Sequence, residues 1–179
     1  MSQDKGVEKE RLRLLQKATT EFVPEEDRLL LSGQMEDGER VGLWLTQRLL
    51  GRLVQPLLRW VEGRGLERGD PVPRGEILQR FAQQEAQARQ QPEQRVQLPK
   101  QGGRWLVLAV DMKDRGEYLL LNFRGEGVEP VQLLVDGALL RQWLGIVYGL
   151  YRKAEWPLDF WPQWMTNAAL PEPVPGLLH

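Results

Sequence analysis

The chain of 179 residues contains no cysteine. That removes disulfides, thiol nucleophiles and thiolate-bound metals together. Its one histidine, His179, is the last residue, and its only serines are Ser2 and Ser32. Catalytic triads, histidine dyads and histidine zinc sites therefore lack their material. No GK[ST] phosphate loop is present, and neither GRG at 63–65 nor RGEG at 124–127 precedes a helix as such a loop must. Long apolar runs are missing too. The longest, Trp143 to Tyr151, is nine residues with two glycines inside, far short of a membrane span. Neither sign of charge dominates, since the formal net charge is −1. No global attraction to nucleic acid or anionic membrane follows, although a local basic patch stays compatible with that balance. The opening MSQDKGVEKER is charged and has no apolar signal core. With the missing cysteine, this gives the expectation of a cytoplasmic setting.

What the chain does have is one pattern written twice, 90 positions apart. Residues 28–58 and 118–148 align without a gap and agree at nine of 31 positions. Six of those nine are leucine, so the pattern carries more weight than the count. Val41-Leu43-Leu45 alternates as Val131-Leu133-Val135 does, in the period of a strand. Thr46 and Asp136 follow, each able to offer an oxygen to an orphan N–H as a helix N-cap. The apolar pairs 49/50, 53/54 and 57/58 then fall on 139/140, 143/144 and 147/148. Strand and helix periods kept in one register point to duplication.

The elements follow from these periods. Residues 10–17 suit either a strand or a short helix, and the repeat favours a strand; strand 29–34, an Asp37-Gly38 hairpin turn and strand 40–45 follow. A helix covers 47–62, with a kink or break expected at Pro56. Residues 63–75 read as linker, and 76–91 as an exposed helix tethered by Ile77, Leu78, Phe81 and its alanines. The second unit has strands at 105–112, 117–123 and 130–135 and a helix at 137–153. Pro-rich residues beyond 162 argue against further helix. The expected fold class is α+β: two pseudo-symmetric βββα units, 1–62 and 104–155, an intervening segment 63–103, and an aromatic tail 156–179, all in one compact domain. Leu49, Leu53, Leu57, Leu139, Trp143 and Val147 are the expected core face of the two helices.

In element order this arrangement resembles the tandem repeats of the PUR and Whirly families of single-strand nucleic-acid binders, with none of their motifs present. The resemblance is one of element order only.

The candidate site residues are aromatic. Trp44 points away from the core-facing row of its strand, and Trp105 belongs to a strand that is apolar on both faces. Trp156, Phe160, Trp161 and Trp164 crowd nine residues of the tail. Such a tail plugs a groove on its own domain, docks on a second copy, or stacks bases, and the expected homodimer is built on residues that include it. Glu25-Glu26-Asp27 is the densest acidic run and reads as a solvated loop. Gly145 and Gly149 read as a close helix contact across the two-fold. The expectation is a non-catalytic binding or assembly protein, homo-oligomeric, with no catalytic residue, cofactor or metal and a possible protein partner. Single-stranded nucleic-acid binding is the first alternative, and a carboxylate-dependent enzyme the second. Arg11, Arg13, Arg40, Arg104 and Arg124 gathered beside Trp44 or Trp105 would favour nucleic acid. Three converging carboxylates would favour an enzyme.

Overall fold

A computed structural model describes residues 12–64, 72–91 and 94–169. It is α+β, with seven strands and four helices in the described residues. Strands β1 (Leu15–Val23), β2 (Arg28–Met35) and β3 (Arg40–Thr46) run antiparallel and lead into helix α1 (Gln47–Glu62). Helix α2 (Val72–Ala88) follows, then the short strand β4 (Arg104–Leu106). Strands β5 (Ala109–Arg115), β6 (Tyr118–Arg124) and β7 (Val131–Asp136) form a second antiparallel sheet. Helices α3 (Gly137–Lys153) and α4 (Gln163–Ala169) complete the described chain. Among the described residues no helix is long and apolar enough to cross a membrane.

The alternating triplets behave as their periods dictate. Val41, Leu43 and Leu45 are buried, and so are Val131 and Val135. The hairpin registers repeat at the 90-residue offset. Leu29 faces Leu45 and Leu31 faces Leu43 in one sheet, while Leu119 faces Val135 and Leu121 faces Leu133 in the other. Both caps form as expected: Thr46 Oγ1 accepts from Leu49 N at 3.1 Å, and Asp136 Oδ1 from Leu139 N at 2.7 Å. The hairpin turn also forms, with Gly38 at φ +86°.

The two sheets meet along both sides. On one side β4 pairs in parallel with β3, Arg104 beside Gly42, and Gly42 N donates to Gly103 O at 2.6 Å. On the other, Leu14 bridges in parallel to Gln132, and Gln132 N donates to Arg13 O at 2.8 Å. These contacts map onto each other when 90 is added to one partner and taken from the other. Each half's third strand is therefore met by the chain entering the other half. The result is a ring of strands with α1 and α3 packed on it. Its core joins Leu29, Leu31, Leu43, Leu119, Leu121 and Phe123 to the buried faces of both helices.

Several expectations need correcting. The expected strand 105–112 is two strands in two sheets. Val107 N donates to Trp44 O and Leu108 N to Arg124 O, so consecutive amides serve different sheets and the chain crosses between them. The first strand begins at Leu15, not near residue 10, and Leu12 is exposed. α1 is continuous through Pro56, so the helix does not break there, and Leu53, Val54, Leu57 and Leu58 are buried on both sides of it. α2 begins earlier than expected and is turned the other way. Ile77, Leu78 and Phe81 are exposed, while Gln79, Gln83 and Ala86 are buried. The glutamines have partners waiting: Gln79 Nε2 donates to Glu62 O and Gln83 Nε2 to Arg141 O. Gly145 faces this helix rather than a two-fold, since a Cβ there would sit 3.1 Å from the amides of Gln83 and Gln87. The tail contains α4 despite its prolines. Pro162 stands just before it, where its carbonyl accepts from Met165 N and Thr166 N and no N–H is needed. The expectation for 170–179 lies outside the described residues. On the helix faces Leu139 is 45% exposed and Leu49 half-buried, because the first turn after each cap looks outward; Leu50 and Leu140 are the buried residues there.

Candidate functional site

The structure separates the six aromatic candidates. Trp156, Trp161 and Trp164 are buried in the chain's own core, and Phe160 is half-buried against it. Tyr151 of α3 is their centre, meeting Trp156, Phe160 and Trp161 edge-on at centroid distances of 5.0, 5.7 and 5.5 Å. Trp156 Nε1 donates to Asp27 Oδ1 at 2.9 Å and Trp164 Nε1 to Glu62 Oε1 at 3.0 Å. The tail thus plugs a groove on its own domain. Burial pushes the Tyr151 hydroxyl up to about 12. The acidic run 25–27 is an exposed turn whose Asp27 holds that plug.

Trp44 and Trp105 are half-buried strand residues. Trp44 lies between Leu30 and Leu106 on the outer face of the first sheet. The segment 94–103 crosses that face. Leu98 sits over Gly42, where a Cβ would fall 2.6 Å from Leu98 Cδ1, so the close approach requires glycine. Trp105 lies against Gly125, where a Cβ would fall 2.6 Å from its ring.

Trp105 also lines a groove of about 380 Å³ at the end of the strand ring, together with Arg13, Glu39, Arg40, Val41, Gly103, Arg104, Val128 and Glu129. The two chain entries meet here. Glu39 and Glu129 each stand just before a strand that leads into a long helix, and Arg13 contacts both. It is ion-paired with Glu39, donates from Nη1 to Glu129 O at 3.2 Å, and lies 3.7 Å from Glu129 Oε2. Arg13 therefore touches both acids and offsets one of their two charges. Arg40 and Arg104 have spent little of their capacity. Arg40 Nη1 donates to Gln97 O at 2.9 Å and Arg104 Nη1 to Pro99 O at 2.8 Å. Each guanidinium has five N–H groups, so most remain for a ligand.

Arg40 also lines a second cavity of about 440 Å³, roofed by 94–97. Its floor is one row across three strands, Lys17 opposite Gln34 opposite Arg40. Gln94, Arg95, Val96 and Gln97 form the remaining lining. Across both cavities five cations face two carboxylates, and Arg13 already holds those two. Arg13, Arg40 and Arg104 line one groove with Trp105; Arg124 does not line it. It is held bidentately by Asp111 at 2.7 and 3.0 Å, and this guanidinium keeps the Asp111 carboxyl below the usual carboxylate range. Arg11 lies outside the described residues. Lys17, Gln34 and Arg95 were not singled out from the sequence. Residues 10–17 read there with either strand or helix parity, which hid the outward face of Lys17.

A polar cluster lies under α2. Arg141 is buried, bonded to Gln79 and to Val61 O, and stands 5.4 Å over the Trp164 ring. Burial pushes it down to about 10, with Glu62 opposing. It ties α1, α2, α3 and α4 together and offers no open face for chemistry. Among the described residues no group of three or more His, Asp or Glu side chains could hold a metal ion. The chain matches no family model, no curated protein and no solved structure.

Proposed function

We propose that this is a non-catalytic binding protein whose ligand is a single-stranded nucleic acid lying in the cation-lined end of the strand ring. The observation that carries the reading is the shared Arg40, which joins the Arg13–Arg104–Trp105 groove to the Lys17–Arg95 cavity into one basic track with an indole beside it. Guanidinium and ammonium groups hold phosphates without regard to sequence, and an aromatic ring adds base stacking of about 1–3 kcal/mol per base. The net charge of −1 makes the attraction local. The salt dependence should therefore be modest, a log–log slope of about −2 for three phosphate contacts on a single strand. The test is fluorescence anisotropy with labelled single and double strands at several salt concentrations. Binding of single strands that the Arg40→Gln/Arg104→Gln pair weakens at least about tenfold supports the reading. Equal binding by that pair, or no binding by the parent protein at low salt, removes it.

A second reading, self-association, is favoured by α2. Ile77, Leu78 and Phe81 are exposed together on its outer side. Light scattering of the parent protein and Phe81→Glu separates the two readings, since only a dimer built on α2 would lose mass in the variant.

A further inference from the structure

The cavity under 94–97 differs in kind from the groove beside it. Three cations and three side-chain amides line it, and no carboxylate does. Its lining comes from two segments, Lys17, Gln34 and Arg40 from one row of the sheet and Gln94, Arg95 and Gln97 from the strap. Among the described residues Lys17 and Arg40 have no carboxylate within ion-pair distance. The carboxylate nearest Arg95 is that of Glu21, a loose 3.9 Å away on an exposed surface. A phosphodiester inside a strand carries one negative charge. A phosphomonoester carries about −1.5 to −2 at neutral pH and three strong acceptor oxygens. Three cations and three amide donors suit the second better than the first.

We propose that this cavity binds a phosphomonoester, the terminal phosphate of a strand whose bases run past Arg104 and Trp105. This rests on the nucleic-acid reading, because the shared Arg40 is what leads from the groove to the cavity. A free nucleotide presents the same group, and a volume of about 440 Å³ lies within the range of small-molecule sites.

The experiment compares single strands about 15 nucleotides long bearing a 5′-phosphate, a 3′-phosphate or hydroxyls at both ends, with a nucleoside monophosphate as competitor. One terminal phosphate is expected to tighten binding about tenfold. In Lys17→Gln and in Arg95→Gln, both exposed positions, the advantage should shrink to about twofold or less, with circular dichroism showing the fold intact. Equal affinity for all three strands overturns the cavity proposal while the nucleic-acid reading stands. Binding of the monophosphate, weakened by Lys17→Gln, without binding of any strand keeps the cavity and removes the polymer. Binding of neither overturns both.

Discussion

Residues 28–58 and 118–148 each give two paired strands and a capped helix, with hairpin registers 90 residues apart, yet their outer faces have opposite fates. Leu30 and Leu120 lie 90 residues apart, and each faces the residue 14 positions on in its hairpin, Trp44 and Leu134. Leu30 is 5% exposed under the strap 94–103, while Leu120 is half-buried and its cross-strand neighbour Leu134 is 39% exposed. Gly42 admits Leu98 on the first face, and Gln132 stands at that place on the second. The helices differ in the same way. Gly51 of α1 has open space where a Cβ would be, while its counterpart Arg141 is buried under α2. One intervening segment thus serves both halves differently: its helix covers α3, and its extended end covers β2 and β3. The lesson is that the shared pattern governs only inward positions. What lies outside each unit decides where the cavities form, and the basic cavity exists because the strap covers one sheet and not the other.

The inward equivalence can be broken most severely at Leu53 and Trp143, which occupy matching places on α1 and α3. Both are buried, and Trp143 Nε1 donates to Thr20 Oγ1 at 3.0 Å. Trp143→Ala should cost about 3–5 kcal/mol and Leu53→Ala about 2–5 kcal/mol in chemical denaturation, as large truncations in close-packed cores do. A loss below about 1 kcal/mol at either place would show that the two helices do not share one core role.

Inward positions were also what could be read from the chain before its structure. Strand alternation and the 49/50, 53/54, 57/58 pairs are periodic signals, and the caps at Thr46 and Asp136 are local chemistry, so α1 and α3 were bounded correctly. The failures share a cause. α2 buries Gln79 and Gln83 because carbonyls of α1 and α3 await them, which no pattern within residues 72–88 encodes. The break at Val107–Leu108 depends on two sheets competing for adjacent amides. Of the basic site, Arg13, Arg40 and Arg104 were legible as a possible cluster. Lys17 and Arg95 come together only through the strap.

The outer faces offer a sharper test of the difference. Leu30→Ala should cost about 2–4 kcal/mol, because it empties a covered site, and Leu120→Ala about 1 kcal/mol or less. Equal losses in parallel denaturation curves would mean that the strap contributes no more cover than solvent does. If Leu30→Ala also weakened strand binding, it would link the cover to the cavity, since Leu98 and Gln97 belong to the same strap.

The smallest expected effect isolates one oxygen. Val61 of α1 and Tyr151 of α3, 90 residues apart, are both buried, but Tyr151 adds a hydroxyl that finds no hydrogen-bond partner among the described residues. Tyr151→Phe should therefore be neutral to stabilising at pH 7, by up to about 1 kcal/mol. The pH dependence carries a definite sign. The folded hydroxyl is held up to about 12, above its ordinary value of 10. Below pH 10 both states keep the proton and nothing changes. Between 10 and 12 the unfolded chain releases it while the folded chain does not, so stability falls as pH rises. Arg141 runs the other way in the same window. Its folded form loses a proton from about 10, while the unfolded chain holds it to higher pH, and stability rises. The wild-type curve mixes both slopes with those of the remaining lysines and tyrosines. The difference between Tyr151→Phe and wild type cancels everything the two share. The variant's advantage should widen from about pH 10 upward in urea denaturation. A difference that stays constant from pH 8.5 to about 11.5 would mean that Tyr151 ionises as readily folded as unfolded, and so is not buried as Val61 is.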